Sequence, residues 1–135
     1  MERNDNQMKS YESRARVLVA HDEPDLAGII LEALVSEGIQ VEIAENARRA
    51  LSLLSDGLHF DLLIANLVMP KPDGLELLRR VYQLGTNLPV IAVRGCATPK
   101  TGSQVIARGR FDYISKTLNV QNLMMLVHRA LRQNY

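Results

Sequence analysis

A single cysteine, Cys96, excludes an internal disulfide and a zinc site built on cysteines. Neither sign of charge is in excess, with sixteen Lys plus Arg against fifteen Asp plus Glu and a net charge of +1. No global field would gather nucleic acid, so DNA binding is not expected. No apolar stretch approaches the roughly twenty residues a bilayer-spanning helix needs, so no membrane partner is expected either. The polar N-terminus lacks the apolar core of a signal peptide, and a cytoplasmic location is the simplest expectation. What is present is a 47% hydrophobic composition over 135 residues, enough to bury the core of one domain without staples.

Residues 1–15 are polar, with little apolar periodicity, and read as a flexible tail; residues 16–135 read as the domain. Val17 to Ala20 forms an apolar run that empties into the polar corner His21-Asp22-Glu23-Pro24-Asp25. Leu26, Ile29, Ile30, Ala33 and Leu34 then give the apolar stripe of a helix that Gly38 stops. Ile39 to Ile43 alternates with period two, the mark of a strand with one more exposed face. Ala47, Ala50, Leu51 and Leu54 predict a second helix ending by Gly57. Leu62 to Ala65 is a third apolar run, closed by Asn66, and the turn residues Met69-Pro70 and Asp73-Gly74 separate it from a helix carrying Leu75, Leu78 and Val81. Leu88 to Val93 is a fourth strand ending at Arg94-Gly95. Between Cys96 and Gly109 only a short helical candidate near Ser103 to Ala107 is visible, and this is expected to be the least rigid connection. Phe111 to Ile114 makes a fifth strand, followed by Ser115-Lys116-Thr117 and a final helix carrying Leu118, Leu123, Leu126, Val127, Ala130 and Leu131.

Five strand-helix repeats predict an α/β fold, a doubly wound five-stranded parallel sheet in the order 2-1-3-4-5, with little room for an output domain. Continuous apolar strands require helices on both sheet faces. Right-handed crossovers put the first and last helices on one face and the others on the opposite one. The carboxyl ends of the strands then converge, bringing His21, Asp22, Asn66, Arg94 and Lys116 together at the crevice where ligands bind in such sheets.

Four motifs at this point resemble the receiver domain of bacterial two-component response regulators: VLVAHDEPDL at 17–26, DLLIANLVMPKPDGLELL at 61–78, LPVIAVRG at 88–95 and GRFDYISKTL at 109–118. The resemblance implies a flavodoxin-like fold and a phosphorelay role in which an aspartate at the end of the third strand accepts a phosphoryl group from a histidine kinase. This sequence has Asn66 at that position. Of the two acidic residues that usually help hold magnesium, the first is replaced by His21 and the second is kept as Asp22. Arg94 stands where a small hydroxyl residue contacts the phosphoryl group, Lys116 matches the lysine usual in the family, Thr117 replaces the proline after it, and Tyr113 matches the switch aromatic. The sequence is therefore similar to a degenerate pseudo-receiver.

An amide is a poor nucleophile near neutral pH, so Asn66 is not expected to carry a phosphoryl group. Deamidation to an aspartate is disfavoured by the bulky Leu67 that follows. Asp22 alone is a weak magnesium candidate, so no cofactor and weak or absent Mg2+ binding are expected. Pairing of Asp22 with Lys116 or Arg94 is the expected fate of the pocket charges. His21 beside Asp22 offers two ligands of a transition-metal site but no third, and Cys96 reads as an inert thiol. The leading expectation is a phosphorylation-independent, non-enzymatic signalling domain acting through protein contact, with a histidine kinase or an output protein as partner. The resemblance also allows a homodimer through the face of the fourth helix, fifth strand and last helix. Two alternatives remain: a small-anion-sensing module using Arg94 and Lys116, and a receiver that still accepts a phosphoryl group on another residue such as His21.

Overall fold

The computed structural model describes residues 15–67, 74–84, 88–94, 111–115 and 119–134. Five strands lie in one parallel sheet: β1 (Arg16–Ala20), β2 (Gln40–Ala44), β3 (Leu62–Asn66), β4 (Val90–Arg94) and β5 (Phe111–Ser115). They are ordered β2-β1-β3-β4-β5. Four helices accompany them among the described residues: α1 (Pro24–Val35), α2 (Ala47–Ser55), α3 (Gly74–Gln83) and α4 (Val120–Asn134). The helical candidate at 103–107, the turn at 69–73 and residues 1–14 of the expected tail 1–15 lie outside the described residues, whereas Ala15, counted with the tail, is fully buried in the core beside β1.

Alternation along each strand sorts the side chains into two cores. Val17, Val19, Leu62, Ile64, Ile91 and Val93 point to one face, where Ile30 and Leu34 of α1 and Leu123, Val127 and Leu131 of α4 cover them. Leu18, Ala20, Leu63, Ala65, Val90 and Ala92 point to the other, covered by Ala47, Ala50 and Leu53 of α2 and Leu77, Leu78 and Val81 of α3. The doubly wound arrangement is present, with the first and last helices sharing a face. β3 is buried along its whole length, as its unbroken apolar run requires, whereas β2 at the sheet edge exposes Gln40 and Glu42.

Local signals set the helix ends. Pro24 opens α1, where its missing N–H costs nothing. Gly38 closes it with φ 82°, and the bonds Gly38 N–H to Val35 O (3.0 Å) and Ile39 N–H to Leu34 O (3.2 Å) satisfy the last carbonyls. Asn46 starts α2 by accepting the Arg49 N–H on its Oδ1 at 2.8 Å. One expected core residue is misplaced: Ile29 is 44% exposed, because the α1 stripe that meets the sheet runs through Ala27, Ile30 and Leu34. Leu53, Leu77 and Met124 are buried in positions the apolar spacing did not single out.

Asp61 clips β1 to β3 at the opposite end of the sheet from the crevice. It is 5% exposed, its Oδ2 accepts the Arg16 N–H at 2.9 Å, and its own N–H donates to the Arg16 carbonyl at 2.8 Å. The Asp61 Oδ1 also lies 2.9 Å from His59 Nε2. Replacing this carboxylate leaves a part-buried N–H without that acceptor. Asp61→Ala is expected to lower the urea unfolding free energy by about 1–3 kcal/mol.

Candidate functional site

The crevice is built by strand register. Ala20 pairs with Ala44 and Ala65, and Asn66 with Val93, so β1 and β3 end side by side. The ladder continues one step past them: the His21 N–H donates to the Ala44 carbonyl at 3.0 Å and the Leu67 N–H to the Val93 carbonyl at 2.9 Å. His21 and Leu67, the chain neighbours of Asp22 and Asn66, are thereby held by backbone bonds before any side-chain contact is made.

Asn66 is fully buried, and its Nδ2 donates to Asp22 Oδ1 at 2.9 Å. The carboxylate is acceptor-only, so this contact fixes the amide with its NH2 toward Asp22. Two carboxylates at that separation would repel and would call for a cation between them; an amide and a carboxylate attract directly, with the strength of a charge-assisted bond. The Asp22 side chain keeps 30% exposure. Solvent therefore reaches part of the carboxylate.

His21 turns inward, 3% exposed. Its Nδ1 accepts the Glu23 N–H at 3.1 Å, and the Glu23 carbonyl accepts the Ala27 N–H of α1 at 3.0 Å. The imidazole therefore shapes the turn between β1 and α1. Its Nδ1 lies 3.8 Å from Asp22 Oδ1, but a nitrogen that accepts a backbone N–H has no proton to give, so this proximity is not an ion pair.

His21, Asp22 and Glu23 form a group of three side chains whose ligand atoms lie within 4.8 Å of one another. The Nδ1 lone pair is already engaged by Glu23 N–H, and Asp22 Oδ1 already accepts the Asn66 amide. One atom of His21 and one of Asp22 are thus already engaged within the chain, and Asp22 and Glu23 are exposed residues. Glu23 was not singled out as a ligand in the sequence, although it stands in the same polar corner.

Arg94 ends β4, where its backbone pairs with Ser115, and Tyr113 pairs with Ala92. These registers put both residues on the strands flanking the crevice; their side chains, and Lys116, Thr117 and Cys96 altogether, lie outside the described residues. The expected pairing of Asp22 with Lys116 or Arg94 falls there too. Of the face made by the fourth helical candidate, β5 and the last helix, only the side chains of α4 up to Arg132 are described. Among the described residues no helix is long and apolar enough to cross a membrane.

The family model for the response regulator receiver domain matches residues 17–128. The regulatory protein AtoC of Escherichia coli is 31% identical over 117 residues, which cover 87% of this chain but 25% of AtoC. The chain thus spans about a quarter of that relative's length. An uncharacterized 14.6 kDa protein of Leptolyngbya boryana is 36% identical over 115 residues, covering 84% of this chain and 87% of its own. Among solved structures, a CheY-like response regulator receiver domain protein from Methanospirillum hungatei superposes with a TM-score of 0.81 at 26% identity, covering 88% of this chain and 94% of that one. Fold, motifs and relatives agree, and the chain belongs to the response regulator receiver domain family.

Proposed function

We propose that this chain is a phosphorylation-independent receiver domain, a non-enzymatic adaptor that signals in a two-component pathway through protein contact. The observation that carries this reading is the 2.9 Å bond from the buried Asn66 amide to Asp22. It puts a non-nucleophilic group at the acceptor position and holds by itself the geometry that two carboxylates would hold only around a cation. Magnesium has little to gain here: Asn66 brings no charge, His21 stands where an acid would be, and one Asp22 oxygen is occupied. Weak or absent Mg2+ binding follows.

His21 is a poor substitute acceptor on two grounds. It is buried, and its Nδ1 lone pair is committed to the Glu23 N–H. The anion-sensing alternative rests on the side chains of Arg94 and Lys116, which lie outside the described residues. The relatives include a regulatory protein far longer than this chain, so the partner class that fits is a kinase or an output protein of such a pathway.

Thermal unfolding tests the reading. Millimolar magnesium, alone or with acetyl phosphate, is expected to leave the midpoint unchanged. A saturable rise with magnesium would show that the pocket still takes the cation and would defeat this part of the proposal.

A further inference from the structure

Two consecutive methionines on α4 have opposite environments. Met124 is 8% exposed and packs in the core with Leu123 and Val127, whereas Met125 turns outward and is 67% exposed. No other large apolar side chain among the described residues is as open to solvent. Helical period explains the split, because the stripe that meets the sheet runs through residues 123, 124, 127 and 131 and leaves 125 on the outer side.

Met125 lies in a groove of about 430 Å³ between α1 and α4, lined also by Ala33, Ser36, Val120 and Gln121. The exposed Gln121 stands one turn before it on the helix surface, and His128 one turn after. His128 Nε2 meets Glu37 Oε1 at 2.8 Å, and Ser36 Oγ donates to the Ala33 carbonyl at 2.8 Å. These polar groups bond around the methionine without covering it.

A thioether is an apolar group that a two-electron oxidant converts reversibly into a polar one. In the core, a sulfoxide oxygen on Met124 would be forced among Leu and Val side chains and would cost the fold stability. On the outer face, the same oxygen on Met125 is an acceptor that water and the Gln121 amide can satisfy. The helix therefore shields the sulfur whose oxidation is damaging and presents the one whose oxidation is tolerated.

We propose that Met125 is a reversible oxidation site, through which a peroxide converts the α1–α4 groove from apolar to polar while the domain stays folded. A sulfur lone pair attacks one peroxide oxygen, the O–O bond breaks, and that oxygen remains on sulfur as the sulfoxide. With hydrogen peroxide, the second oxygen leaves with both hydrogens as water. Sulfur is oxidised by two electrons and the peroxide is reduced by two. The return step belongs to a thiol-dependent methionine sulfoxide reductase, in which two thiols become a disulfide and the oxygen leaves as water. This input is separate from the acceptor crevice and does not depend on how Asn66 is read.

Peptide mass spectrometry of the full chain after treatment with hydrogen peroxide tests this. Fragment ions of the tryptic peptide from Thr117 to Arg129 distinguish the two methionines. In buffer, sulfoxide is expected to form at Met125 at least about ten times faster than at Met124, and in urea at similar rates at both. The chain oxidised at Met125 is expected to keep the parent's thermal midpoint, to elute earlier from a hydrophobic-interaction column, and to regain its retention with a methionine sulfoxide reductase. Met125→Leu, treated in parallel, accounts for Met1, Met8 and Met69 and should shift less than the parent. Equal rates at Met124 and Met125 in buffer would overturn the proposal, as would a preference for Met125 that persists unchanged in urea. A lower midpoint when Met125 alone is oxidised would overturn it equally. So would a retention shift as large in Met125→Leu as in the parent, or one that the reductase does not reverse.

Discussion

Asn66→Asp is expected to destabilise the domain in magnesium-free buffer near neutral pH and to create a magnesium dependence that the parent lacks. The substitution exchanges the amide donor 2.9 Å from Asp22 Oδ1 for a second carboxylate oxygen, in a fully buried position. Two unit charges about 4 Å apart interact by roughly 4 kcal/mol at an effective dielectric near 20. Protonation of the new acid and the solvent access of Asp22 reduce that, so the expected loss is about 2–4 kcal/mol. A cation placed between the two carboxylates reverses the sign of the interaction. At a hundred times its dissociation constant a ligand returns about 2.7 kcal/mol, so saturating magnesium should recover most of the deficit. Urea unfolding of parent and variant, each with and without magnesium, measures all four terms. A variant as stable as the parent in both buffers would mean that residue 66 does not contact Asp22 as described.

The second large effect is in the core. Ile64 lies at the centre of β3, fully buried, in the cluster that joins the sheet to α1 and α4. Ile64→Ala removes atoms from a site walled on all sides, where the backbone ladder to β1 and β4 limits collapse. A loss of about 2–5 kcal/mol is expected. Domains of this size have about 5–15 kcal/mol in total, so the variant should unfold at markedly lower urea concentration. The exposed Met125 provides the contrast. Its truncation to alanine should leave monomer stability within about 0.5 kcal/mol.

The unequal size of these effects follows the features the sequence makes visible. Apolar runs at Val17, Leu62 and Leu88 announce strands because parallel strands covered on both faces need no polar alternation. Gly38 and Pro24 announce the limits of α1 because their backbone chemistry permits little else. Helical period alone did not decide which of Ile29 and Ile30 faces inward; the crossing of α1 over the sheet does, and Ile29 is left outside. The strand ends could be brought together on topological grounds, and His21, Asp22 and Asn66 do meet. The bond between Asp22 and Asn66 joins residues 44 apart in the chain, and no local pattern encodes its donor and acceptor. Asp61 did leave a trace, as a charge set between Phe60 and Leu62 at the start of a buried strand. Such a residue must find partners, and Arg16 and His59 supply them.

The family scaffold and the Asn66–Asp22 contact together make a specific chemical claim: the acceptor position has kept its place and lost its nucleophile. Intact-mass and peptide mass spectrometry after incubation with acetyl phosphate and magnesium tests it most directly. The account predicts no gain of a phosphoryl group by the unaltered chain, on residue 66 or on His21. A stoichiometric gain of one phosphoryl group by that chain, mapped to either residue, would contradict it.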